Sequence, residues 1–138
     1  MNFDITTAGQ AAITSANNAG PKVNVSAFKL GSAVAYSPVV GDTGLHGTIL
    51  HTGVVSSVNI IDATTVDYQL QVDATVGNFD FGEIGLFLSD GTLFALAALT
   101  QLQYKSSTTS SSVGNNITIS AKLSMTNAYA IVNYSIPT

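Results

Sequence analysis

The chain is 138 residues long, carries 8 acidic residues against 4 lysines with no arginine, and has a net charge of -4. Only 9% of its residues are charged while 46% are hydrophobic, against about 25% charged in an ordinary soluble domain. With no basic face, no cysteine, and high hydrophobicity without high net charge, these figures argue against nucleic-acid binding, a disulfide or thiolate-zinc scaffold, and intrinsic disorder.

Met1-Asn2-Phe3-Asp4 lacks the basic start and apolar run of a signal peptide, and no apolar segment approaches the ~20 residues of a membrane span. One domain over residues 1–138 is expected. So apolar and weakly charged a chain suits coverage by partners.

The first predicted element is a helix over about residues 8–19. Thr7-Ala8-Gly9-Gln10 has capping-box spacing, Ile5 stands where it staples the start, and Asn17-Asn18-Ala19-Gly20-Pro21 reads as a glycine cap and a stop. The period then changes to two. Val23, Val25 and Ala27 alternate with polar residues as a strand, and residues 31–47, with four glycines and Pro38, read as a long loop with a short extended piece at Ala33 to Tyr36. Thr48 to Ile61 is β-branched and reads as one long strand or two short ones.

Val66, Tyr68, Leu70 and Val72 alternate with Asp67, Gln69, Gln71 and Asp73, the pattern of a sheet with one dry face. Glu83 to Leu88 and Thr92 to Leu99 flank Ser89-Asp90-Gly91, a hairpin signal; both flanks are apolar on both faces, so the hairpin is expected to be central or covered. Residues 106–116, rich in Ser and Thr, read as a flexible surface loop. Ile117 to Met125 alternates again, and Ala128 to Ile136 supplies a last strand. The expected fold is mainly β, an antiparallel β-sandwich or twisted sheet with one N-terminal α-helix.

Candidate chemistry is sparse. His46 and His51 offer a metal pair, with Asp42 as a third ligand, but a five-residue separation puts two strand side chains on opposite faces, which favours hydrogen-bonded histidines near a loop. No serine sits in a Gly-x-Ser-x-Gly elbow. Glu83 lies inside Phe81-Gly82-Glu83-Ile84-Gly85-Leu86-Phe87, where an unpaired carboxylate would have a raised pKa. It reads either as a general acid, alone or paired with Asp80, or as a structural carboxylate that accepts loop amides or a hydroxyl; the second is favoured. Neither a cofactor nor catalysis is expected.

Three motifs, in order, resemble the N-terminal domain of tail fibre (tail-collar fibre) proteins of contractile-tailed bacteriophages. They are Ile5-Thr6-Thr7-Ala8-Gly9, Val23-Asn24-Val25-Ser26-Ala27-Phe28-Lys29-Leu30-Gly31, and Glu83-Ile84-Gly85-Leu86-Phe87 followed by Asp90-Gly91-Thr92-Leu93-Phe94-Ala95. The resemblance implies a structural virion protein, made in the host cytoplasm, that anchors a fibre to the baseplate, usually as a homotrimer and without chemistry. It makes Glu83 and Gly85 framework positions of the hairpin, and Asp90 and Gly91 its turn. The family's usual basic or Trp residue before the glutamate is absent, with Phe81-Gly82 in its place, and where family members continue into a shaft this sequence runs to Ile136-Pro137-Thr138. A stand-alone adaptor to which a separate fibre docks, or a piece of a longer fibre, is the expectation.

The apolar N-terminal residues Phe3, Ile5 and Thr7 are the expected partner contacts, since an apolar terminus outside the first helix needs covering. Deleting residues 1–6 is expected to abolish baseplate incorporation while the domain still folds. The competing reading is a small β-sandwich carbohydrate-binding module, with Tyr36, Tyr104, Tyr129 or Tyr134 as stacking platforms.

Overall fold

The computed structural model describes residues 3–17 and 23–124. Its elements are β1 (Asp4–Ile5), α1 (Thr7–Asn17), β2 (Val25–Gly31), β3 (Ile49–Asp62), β4 (Thr65–Val72), β5 (Phe79–Leu88), β6 (Leu93–Lys105) and β7 (Ile117–Ser124). All strand pairs are antiparallel and form one sheet in the order β1-β6-β5-β2-β3-β4-β7. The fold is thus mainly β with one N-terminal helix, and the sheet is curled. The expected helix stop at Asn18 to Pro21 and the strand expected at Ala128 to Ile136 lie outside the described residues.

The segment from Thr48 to Ile61 resolves into one continuous strand. The first half of β3 pairs with β2, from Ile49 to Val54, and the second half pairs with β4, from Val55 to Asp62. A register irregularity between Val55 and Ser57 accompanies the change of partner. Irregularities of this kind bend a strand and increase its twist. They let one strand serve both halves of the curled sheet.

The concave face holds the main core. Phe28 and Leu30 of β2, Ile84 and Leu86 of β5, and Val66, Tyr68, Leu70 and Val72 of β4 are all buried there, and α1 adds Ile13. Each such aliphatic or aromatic side chain contributes about 1.5–3 kcal/mol on burial. The alternation in β4 appears as buried Val66, Tyr68, Leu70 and Val72 between less buried neighbours, and β7 repeats it with Ile119, Ala121 and Leu123.

The helix start lies one residue earlier than the capping-box spacing indicates. Thr6 is the cap: its Oγ1 accepts from the Gly9 amide at 3.0 Å, and its own hydroxyl donates to the Leu93 carbonyl at 2.6 Å. Thr7 is the first helical residue and is exposed, and its amide donates to Val40 O at 2.7 Å. The tertiary bond to Leu93 decides between two adjacent threonines.

Residues 106–116 form a surface loop. Asn115 Oδ1 accepts from the Ser106 amide at 2.8 Å, and the Thr108 amide donates to Ala74 O at 2.7 Å. At its root Lys105 is fully buried, its ammonium donating to Val76 O at 2.6 Å and Ser106 O at 2.8 Å.

Candidate functional site

The convex face of the central strands carries a second, smaller apolar cluster: Phe87 of β5 with Leu93 and Leu96 of β6. A bare sheet would leave these side chains in water. Here the long loop between β2 and β3 folds back over them, and its Tyr36 and Leu45 pack against the cluster. This is how a hairpin apolar on both faces is accommodated: β5 is interior to the sheet, and the loop supplies its outer cover. Lys29 adds its ammonium over the Phe87 ring, 4.5 Å from the centroid.

What fastens the loop is Glu83. The side chain is fully buried, and four donors converge on its carboxylate. Oε2 accepts from the amides of Gly47 at 2.7 Å and Ala33 at 3.1 Å; Oε1 accepts from the Tyr36 hydroxyl at 2.7 Å and the His46 amide at 2.8 Å. The donors come from both ends of the loop, so one carboxylate closes it as a clasp. Room for the clasp comes from glycine. Gly31 stands opposite Glu83 in the β2–β5 ladder, and a Cβ there would meet the carboxylate carbon at 2.7 Å; a Cβ at Gly47 would meet Oε2 at 2.8 Å.

Electrostatics follow from the donors. Burial acts to raise the Glu83 pKa, but the Tyr36 hydroxyl and the amides of His46, Gly47 and Ala33 outweigh it and hold the group below its ordinary value. The raised pKa of an unpaired carboxylate therefore does not arise, and its partners do not include Asp80, which is exposed. Burial first, then the bond to Glu83 and its charge, push the Tyr36 phenol well above its ordinary value.

The clasp extends outward through His46. Its ring stacks on Tyr36 with centroids 3.9 Å apart and planes 13° apart, and its Nε2 lies 3.0 Å from Asp42 Oδ2. His51 is elsewhere, in β3, edge-on to Phe28 at 5.9 Å between centroids. The two histidines therefore do not share a site, and the described residues hold no group of three side chains suited to a metal. The loop does not contain the extended piece expected at Ala33 to Tyr36. Ala35 takes a positive φ of 58°, and its amide donates to Leu99 O at 2.7 Å, which bends the chain toward the clasp.

The remaining hairpin positions have plain geometric parts. Gly85 leaves space for Leu45, whose Cδ2 would lie 2.8 Å from a Cβ there. Gly91 adopts φ +91°, and Asp90 Oδ1 accepts from the Thr92 amide at 2.9 Å, which with the Leu88 to Thr92 backbone bond closes the turn. Those bonds from Thr92, side-chain first and then amide, keep the Asp90 carboxyl below its ordinary value.

At the N-terminus, Phe3 and Ile5 pack against the chain's own core, and Ile5 pairs with Ala95 of β6. The chain's own core thus covers part of the apolar surface of Phe3 and Ile5, which are both half-buried. What stays exposed beside them is Thr7 together with Val39 and Val40, at 59% and 57% exposure. Of the tyrosines considered as platforms, Tyr36 is committed to the clasp and Tyr104 is 58% exposed, while Tyr129 and Tyr134 lie outside the described residues.

Sequence reasoning picked out Glu83 but not Ala33, His46 and Gly47 as its donors. The two glycines at the ends of the loop were the available signal. A family model described as "Phage tail-collar fibre protein, N-terminal" matches residues 2–136. No curated protein and no solved structure matches the chain.

Proposed function

We infer that this chain, which belongs to the phage tail-collar fibre N-terminal family, joins a tail fibre to the phage baseplate and performs no catalysis. Membership of the family carries a structural role in the phage tail fibre, as a component of the virion. No helix among the described residues is long and apolar enough to cross a membrane.

The observation that carries the non-catalytic reading is the state of Glu83. Its carboxylate is ionised, out of water, and met by four donors from one loop. A general acid needs a proton to give, and a general base needs a lone pair facing a substrate. Glu83 is equipped to hold a loop in place.

Docking to baseplate proteins is assigned to the N-terminal surface, where Thr7, Val39 and Val40 lie side by side, the Thr7 amide donating to Val40 O. Phe3 and Ile5 line a hollow together with Val40. A homotrimer and a separate fibre protein as further partner belong to the same reading, which low surface charge supports. The test is incorporation into particles. Deleting residues 1–6 removes β1 and the Thr6 cap as well as the surface, so the cleaner variant is Val39→Lys with Val40→Lys. A protein that folds normally but is missing from purified particles supports the assignment; normal incorporation overturns it.

A further inference from the structure

The loop between β2 and β3 carries its two exposed valines on a turn. The Asp42 amide donates to Val39 O at 3.0 Å, which closes residues 39–42 as a β-turn. The same two residues bond again in the reverse sense, the Val39 amide donating to Asp42 Oδ2 at 3.0 Å. One residue therefore pins the turn by its two ends. That carboxylate oxygen also lies 3.0 Å from His46 Nε2, and His46 is itself held, by its amide on Glu83 Oε1 at 2.8 Å and by its ring on Tyr36. On the far side the Val40 carbonyl accepts from the Thr7 amide at 2.7 Å. The Asp42 side chain is 14% exposed, while Val39 and Val40 stand 59% and 57% exposed. Burial acts to raise the Asp42 pKa, but the Val39 amide, then the His46 bond and charge, outweigh it and hold the carboxyl below its ordinary value. A polar brace thus runs from buried Glu83 of β5 to a turn that presents two valines to solvent.

We propose that Asp42 is the positioning residue of the docking surface, fixing the Val39–Asp42 turn in the shape that the baseplate partner receives. The inference rests on the assignment of docking to Thr7, Val39 and Val40. A loop that must be ordered during association loses affinity for each torsion it freezes, whereas a turn already held in its bound shape does not. Valine suits the arrangement, because its χ1 is stiff once the backbone is set. Fixing residues 39–42 therefore also fixes where the two apolar groups point. The Asp42 carboxylate is turned inward, onto the Val39 amide and His46, so it acts through the valines. Glu83 fastens the loop over Phe87, and Asp42 sets what the fastened loop displays.

Competitive incorporation of the full chain tests it. Each variant is produced together with the parent, and their ratio in purified particles is compared with their ratio in the soluble pool. Asp42→Ala should be depleted from particles at least about fivefold while melting within a few degrees of the parent. Its Val39 amide should exchange with solvent at least about tenfold faster. Asp42→Asn, whose Oδ1 still accepts from the Val39 amide, should recover most of the loss. Should Asp42→Ala melt early, His46→Phe takes its place: it keeps a ring on Tyr36, removes only the bond to Asp42, and should be depleted at least about twofold. Exclusion of Val39→Lys with Val40→Lys, together with parent-level entry of Asp42→Ala or of the variant in its place, overturns the positioning role and leaves the docking assignment standing. Asp42→Asn depleted as far as Asp42→Ala overturns it as well. Parent-level entry of the double lysine variant overturns the docking assignment and the inference with it.

Discussion

Glu83 and Gly31 face each other across the β2–β5 ladder, and the carboxylate lies in the space that a side chain at position 31 would occupy. The pair explains why an acid can be buried at the centre of an apolar hairpin: the missing Cβ opens a pocket, and the loop fills it with donors.

Replacing the acid while keeping its shape should release the loop. Glu83→Gln exchanges one acceptor oxygen for an N–H that meets amide donors, and should destabilise the protein by about 3 kcal/mol in denaturant titration. Tyr36→Phe removes one donor and should cost about 1 kcal/mol. In both variants cleavage by a dilute protease should rise first within residues 32–48. A Glu83→Gln protein as stable as the parent would show that the clasp contributes nothing.

Acid should act in the same way. The folded pKa of Glu83 is depressed below its ordinary value of 4.5, so its stabilisation is fully present above about pH 4.5 and is lost as pH falls through the folded value. Asp42, Asp62, Asp73 and Asp90, also depressed, add to the same trend. Thermal melts should therefore show a midpoint that falls steadily below about pH 4.5, with a shallower fall in Glu83→Gln. A slope unchanged by that substitution would remove Glu83 from the explanation.

Two glycines should fail for different reasons. Gly47→Ala forces a Cβ against Ser32 Oγ and the Glu83 carboxylate, and should cost about 2–3 kcal/mol through overpacking. At Gly91 nothing lies within reach of a Cβ, and only the φ of +91° opposes a side chain, so Gly91→Ala should cost about 1–2 kcal/mol. Asn, which tolerates positive φ better, should recover part of the loss at position 91 and none at 47. Equal behaviour of Asn at both sites would contradict this division.

The cap can be located by a pair of substitutions. Thr6→Ala removes both the Gly9 contact and the bond to Leu93 O, and should cost about 1–2 kcal/mol. Thr7→Ala, at an exposed position, should stay within about 0.5 kcal/mol. The reverse ranking would restore Thr7 as the cap.

Periodicity made most of the strands legible. The Val66 to Val72 alternation and the Asp90-Gly91 turn reappear in the fold because both are local: a period of two and a positive φ are written in neighbouring residues. The helix start was displaced by one because two threonines in sequence each offer a hydroxyl, and only the fold brings Leu93 to one of them. The burial of Glu83 could be read from its apolar neighbours, but its donors stand 36–50 positions away in the chain. The cover over Phe3 and Ile5 is hidden for the same reason, since it depends on β6 about ninety residues later.

The 14-residue strand β3 carries one more consequence. Because a single continuous backbone supplies the ladder partner of β2 and of β4, the two halves of the sheet have no seam at which one can melt alone. Cooperativity is set there. A proline placed at Val54, where the first half gives way to the second, would introduce such a seam, and one sharp unfolding transition would become two.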